Sequence, residues 1–142
     1  MTSREAIYAA LFAKFSSIAG FTTISRRLQH WSDTPLSMQP ALFMAQRGET
    51  VATVPGLNQV WSLSVDLYLY ANTGADKSAS PGSILNPLLD AVVAALAPDK
   101  ITNKCTLGGI VEHAWIEGRI ETDEGVLGDQ GVAIVPLIIK AV

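Results

Sequence analysis

Residues 132–139 read V-A-I-V-P-L-I-I and are apolar on both faces of any strand they form. Successive strand side chains alternate, so Val132, Ile134 and Ile138 oppose Ala133, Val135, Leu137 and Ile139. Such a strand needs cover on two sides, which confines the chain to folds that sandwich a sheet between layers. Pro136 has no N–H to give a ladder and marks an edge or a bulge.

Residues 61–71 carry the clearest period of two. Trp61, Leu63, Val65, Leu67, Leu69 and Ala71 share one face, and Ser62, Ser64, Asp66, Tyr68 and Tyr70 the other. A strand on the order of ten residues exceeds the usual length of about 5–6, so it bends around the body or projects toward a neighbour. A short strand is expected over 41–46, between Pro40 and Gly48, followed by a loop or arm at 50–56 broken by Pro55. A further strand is expected over 110–121.

Two helices frame these strands. Over residues 3–19, Ile7, Leu11, Phe15 and Ile18 recur at helical spacing, with Thr2 and Glu5 as a capping box and Gly20 as the stop. Over residues 83–97, Leu85, Leu88, Leu89, Val92 and Leu96 form the stripe, Ser80, Pro81 and Ser83 signal the start, and Pro98 the end. Residues 72–82 and 122–131 read as polar loops, the second rich in Gly and Asp. The expected fold is α+β: one domain over 1–142, a mainly antiparallel twisted β-sheet with two α-helices packed on one face.

Two helices cover only one face of that sheet. Charged residues make up 16% of the chain and hydrophobic ones 49%, against about 25% charged in ordinary domains. So little charge leaves apolar surface for another copy to bury. The formal net charge is −3, and Arg26–Arg27 is the nearest thing to a basic patch, which disfavours tight nucleic-acid binding but permits DNA to pass. Cys105 is the single cysteine and fits a reducing cytosol. Glu5 and Lys14 break up the N-terminal apolar stretch, unlike a secretory signal. The apolar run 91–98 is far shorter than the roughly 20 residues that span a bilayer. A soluble, intracellular protein with no membrane partner is expected.

No residue set reads as catalytic, cofactor-binding or metal-binding. His113 is in phase with Val111 and Trp115, while Glu112 points to the opposite face and Glu117 is too far along, so a half-buried structural role is expected. His30 lies within reach of Asp33 with no nucleophile beside them, which gives it a surface or interface role. Cys105 next to Lys104 lacks a base and an orienting group. Glu121, Asp123, Glu124 and Asp129 form the one acidic run, without calcium-loop spacing.

W-I-E-G-R-I-E-T-D-E-G at 115–125 and L-G-D-Q-G-V-A-I-V-P-L-I-I at 127–139 resemble the tail-terminator proteins (minor tail protein U and its relatives) of long-tailed bacteriophages. R-E-A-I-Y-A-A-L at 4–11 and V-W-S-L-S-V-D-L-Y-L-Y at 60–70 have the same character, and the order of elements matches along nearly the whole chain. The resemblance implies a structural, non-enzymatic protein of the virion tail that forms a hexameric ring. Its implied partners are copies of itself, the tail-tube protein and a head-connector or neck protein, with DNA only passing through the lumen.

Subunit or lumen contacts are expected at Arg47, Glu49, Glu121, Asp123, Glu124, Asp129 and Gln130, and segments 47–58 and 122–131 are expected to order on binding. Two other readings stand beside this one. One is a neck or tail-completion protein at the head–tail joint. The other is a small ligand-binding or enzymatic domain with a pocket around Trp61, Tyr68, Tyr70 and Trp115.

Overall fold

A computed structural model describes residues 1–74, 76–126 and 128–142; Ala75 and Leu127, in the loops expected over 72–82 and 122–131, lie outside the described residues. Helix α1 runs Arg4–Ser16. Ser3, one residue beyond the expected Thr2, caps it: the Ala6 N–H donates to Ser3 Oγ at 3.2 Å. Ile7, Leu11 and Phe15 of the expected stripe are fully buried, and Tyr8 with them. Ile7, Leu11 and Phe15 each contribute roughly 1.5–3 kcal/mol.

Helix α2 runs Pro81–Ala95, two residues earlier than expected at both ends. Pro81 fits its first turn because no N–H is needed there. Leu85, Leu88, Val92 and Leu96 bury its apolar side. Both helices pack on the same sheet face, against Leu63, Val65, Leu67 and Leu69 of one central strand and Ala133, Val135, Leu137 and Ile139 of the other.

The strands are β1 (Thr23–Ser25), β2 (Ala41–Ala52), β3 (Val60–Asn72), β4 (His113–Ile116), β5 (Glu121–Asp123) and β6 (Gln130–Ala141). Their order is β1-β2-β3-β6-β4, with β5 also pairing β6. β1 pairs β2 in parallel and every other pair is antiparallel. The α+β reading holds, as a mixed sheet with two helices.

Two strands differ from expectation. β2 does not stop at Gln46: pairing with β3 continues from Gly48↔Ser64 to Ala52↔Val60, after a shift between Gln46 and Gly48. Gly48 takes up that bulge at φ +142°, a conformation few other residues adopt. The strand expected over 110–121 is instead two short pieces. Leu107, Gly108 and Gly109 all have positive φ, and the Thr106 carbonyl accepts the N–H groups of Gly109, Ile110 and Val111, which closes a turn. Gly118, at φ +109°, then separates β4 from β5 beside Pro136.

Part of the second sheet face, or its edge, was expected to be covered by another copy. Part of it is covered by the chain itself. Ala41, Phe43, Tyr70 and Val132 form a buried cluster with Trp31 packed on it. Trp31 belongs to a connection built of two 3₁₀ turns, Trp31–Asp33 and Leu36–Met38.

Candidate functional site

Among the described residues, a β-hairpin arm and a groove on the second sheet face leave apolar surface uncovered. The arm is the distal half of β2, the start of β3 and their connection, and residues 46–59 are exposed throughout. Val54, Pro55, Gly56 and Leu57 form its tip. The Leu57 N–H donates to the Val54 carbonyl at 3.0 Å, and Gly56 has φ +82°. Pro then Gly at the two central positions is the signature of a type II turn. Gln59 Nε2 donates to Thr53 Oγ1 at 3.2 Å across the hairpin. Segments 47–58 and 122–131, expected as loops, therefore contribute residues to strands: 47–52 to β2, 122–123 to β5 and 130–131 to β6.

The arm is tied to the body at its base. Arg4 of α1 donates to both Glu49 carboxylate oxygens, at 2.8 and 2.9 Å, and its guanidinium lies 4.8 Å from the centre of the Trp61 ring. Arg47 pairs with Asp66 at 3.2 Å. Burial raises the Asp66 carboxyl above its ordinary value, and the Arg47 charge offsets part of that rise. Arg47 and Glu49 thus have partners within the chain.

The groove lies on the second sheet face and encloses about 450 Å³. Tyr68 and Tyr70 of β3, Val132 and Ile134 of β6, and Leu28 to Trp31 of the connection line it. Side-chain hydrogen bonds hold that connection, among them one from Gln130 Nε2 to the Trp31 carbonyl at 3.5 Å. The Tyr70 hydroxyl donates to the Gln29 carbonyl at 2.7 Å. Gln39 Nε2 donates to the Thr34 carbonyl at 2.9 Å and to Gln130 Oε1 at 3.0 Å. Burial pushes the Tyr70 hydroxyl up to about 12. Residues 28–31 were not expected to line a site, since the irregular stretch 28–30 and the 3₁₀ turn that follows it leave no periodic signal; His30 was the one residue given a surface or interface role.

The aromatic pocket expected around Trp61, Tyr68, Tyr70 and Trp115 does not form as one site. Tyr68 and Tyr70 share the groove, Trp61 stacks under Arg4, and Trp115 lines a separate apolar cleft with Val93, Leu96, Pro98 and Ile116. His113 stacks on Trp115 at 4.9 Å, and its Nδ1 accepts the Cys105 N–H at 2.9 Å, a half-buried structural role. The His30 ring bonds Ser32, and Asp33 meets His30 only through its backbone N–H, which donates to the His30 carbonyl at 3.0 Å.

The expected contact residues are dispersed. Gln130 is buried, 7% exposed, and its side chain bonds Gln39 and the Trp31 carbonyl. Glu124 reaches the start of α2, accepting from Ser80 Oγ and from the Gly82 N–H at 3.3 Å. Asp123 accepts the N–H groups of Gly125 and Val126 within its own loop. Asp129 lies 3.5 Å from Lys77, and Glu121 is exposed on β5. Among the described residues no three His, Cys, Asp or Glu side chains gather as metal ligands would, and no helix is long and apolar enough to cross a membrane. No protein-family model matches the chain, and no curated protein matches it.

Proposed function

We propose that this chain is a structural protein of a phage tail: a terminator that caps the tail tube as a hexameric ring, stops its growth and offers a surface to the head. The observation that carries the reading is the projecting arm. Residues 50–61 contain no charged side chain, and Val51, Val54 and Leu57 are exposed there by 47%, 54% and 70%. Water-exposed apolar side chains on a pinned hairpin are a feature of a surface meant to be covered by protein. The tail-specific part rests on the resemblance of residues 4–11, 60–70, 115–125 and 127–139 to tail terminators.

In this reading the arm and the partly open second face supply contacts to sister subunits and to the last ring of the tube. The acidic balance suits a lumen through which DNA slides without being held. The test is co-purification with the tail-tube protein of the phage that makes this chain. A terminator co-purifies with the tube protein and shortens tubes polymerising in its presence. A neck or completion protein instead co-purifies with the connector and leaves tube length unchanged.

One observation favours a second reading. The groove over Tyr68 and Tyr70 falls within the roughly 300–1,000 Å³ typical of ligand pockets. A domain binding a small apolar molecule there would take up a hydrophobic dye stoichiometrically while remaining indifferent to tube protein.

A further inference from the structure

The arm tip and the groove are both apolar, both uncovered, and at opposite ends of one strand. β3 leaves the arm at Val60 and reaches the groove at Tyr68 and Tyr70. Ten residues of strand separate its two ends by roughly 30 Å. The β2–β3 ladder holds through Ala52↔Val60, so the hairpin cannot fold back onto its own body. A chain therefore cannot fill its own groove with its own arm.

We infer that the arm tip of one copy seats in the groove of the next, with Leu57 and Val54 entering between Leu28, Trp31, Tyr68 and Ile134. Charge supports a second copy as the occupant. The arm carries no charge from Thr50 to Trp61, and no Asp, Glu, Lys or Arg lines the groove. A charged peptide or ligand would enter that groove without a counter-charge. Size agrees: about 450 Å³ accommodates a leucine and a valine side chain rather than a whole domain.

The contact joins two different surfaces. It is heterologous, so each added copy presents a free arm at one end and a free groove at the other, and the chain of copies closes as a ring or runs on as a filament. This inference rests on the reading of the chain as a self-assembling protein and names the contact that reading leaves open. It does not depend on the tail role.

The test uses the full-length protein in native mass spectrometry and sedimentation across concentrations up to the millimolar range. Leu57→Asp disables the arm at a residue 70% exposed, and Leu28→Glu disables the groove at a rim residue 44% exposed, so neither substitution touches the core. Wild type should form closed oligomers, and each variant alone should be monomeric with an unchanged circular-dichroism spectrum. An equimolar mixture should yield heterodimers and stop there, because the one contact uses the only intact arm and the only intact groove of the pair and leaves the disabled ones free.

Several results overturn the inference: a monomeric wild type throughout the range, variants that assemble as wild type does, a mixture that stays monomeric, or a groove that binds only a hydrophobic dye. Rings that persist in both variants would refute this contact and leave the capping role standing. Failure of tube capping with the heterodimer result intact would refute the capping role and leave this contact standing.

Discussion

Gln39 Nε2 donates a 3.0 Å hydrogen bond to Gln130 Oε1, across 91 residues of sequence, and both side chains are buried. This pair connects the covering segment of the second face to the start of β6. It also explains why Gln130 is withdrawn from the surface where subunit contacts were expected. Gln130 Nε2 also donates to the Trp31 carbonyl at 3.5 Å, so one side chain ties the segment bearing Trp31 to β6 at two points.

Replacing Gln130 with Leu leaves a buried amide hydrogen of Gln39 unmatched. The expected cost is about 1–3 kcal/mol in urea unfolding. A double-mutant cycle with Gln39→Leu should show coupling well beyond the ~0.3–0.5 kcal/mol of independent sites. Additive effects within that margin would mean the pair is incidental.

Gly131 is where β6 passes under α2. A Cβ there would lie 2.8 Å from both Leu85 Cδ1 and Pro81 Cβ. The leucine tip can swing away, but the proline ring cannot. Gly131→Ala is expected to cost about 1–3 kcal/mol by overpacking and to lower the midpoint of thermal unfolding. An unchanged midpoint would show that α2 yields more freely than its packing implies.

Glu124 acts as a remote cap for α2, through Ser80 Oγ and the Gly82 N–H. Ser80 itself makes no side-chain capping bond. Glu124→Ala should destabilise by about 0.5–2 kcal/mol, as loss of a local cap does. Glu124→Gln should cost less, since it keeps an acceptor oxygen and gives up only the carboxylate's favourable charge at the helix start. Chemical denaturation of the three proteins checks the order.

Tyr70 sets an alkaline limit. Its hydroxyl titrates near 10 in the unfolded chain and at about 12 in the fold, because burial disfavours the phenolate. Between those values the unfolded chain has lost the proton and the folded chain retains it. The folded state then binds more protons, so its stability falls as pH rises from about 10 to about 12. Tyr70→Phe should be less stable at neutral pH, having lost the bond to the Gln29 carbonyl, and should show a shallower decline over that window. An identical decline in both proteins would assign the effect elsewhere.

The helices and central strands were readable because burial imposes a period. Leu63 to Ala71 and Ala133 to Ile139 face the helices at every second residue, and Ile7, Leu11 and Phe15 do so at every fourth. The arm was not readable as strand. Gly48 and Pro55 look like stops, yet Gly48 only bulges the ladder and Pro55 opens the turn at the tip. The strand expected over 110–121 failed for the opposite reason: its apolar residues alternate, but positive φ at Leu107, Gly108, Gly109 and Gly118 breaks the chain on both sides of β4. Half of the groove was visible as Tyr68 and Tyr70. Its other wall, Leu28 to Trp31, belongs to a non-periodic connection held by side-chain bonds from β3 and β6, and nothing local announces those.

The capping role is tested most directly by electron microscopy of particles assembled without this chain. Tails of heterogeneous, excessive length are predicted, with normal length restored when the protein is supplied in trans. Tails of normal length in its absence, whether joined to heads or lying free, would contradict termination.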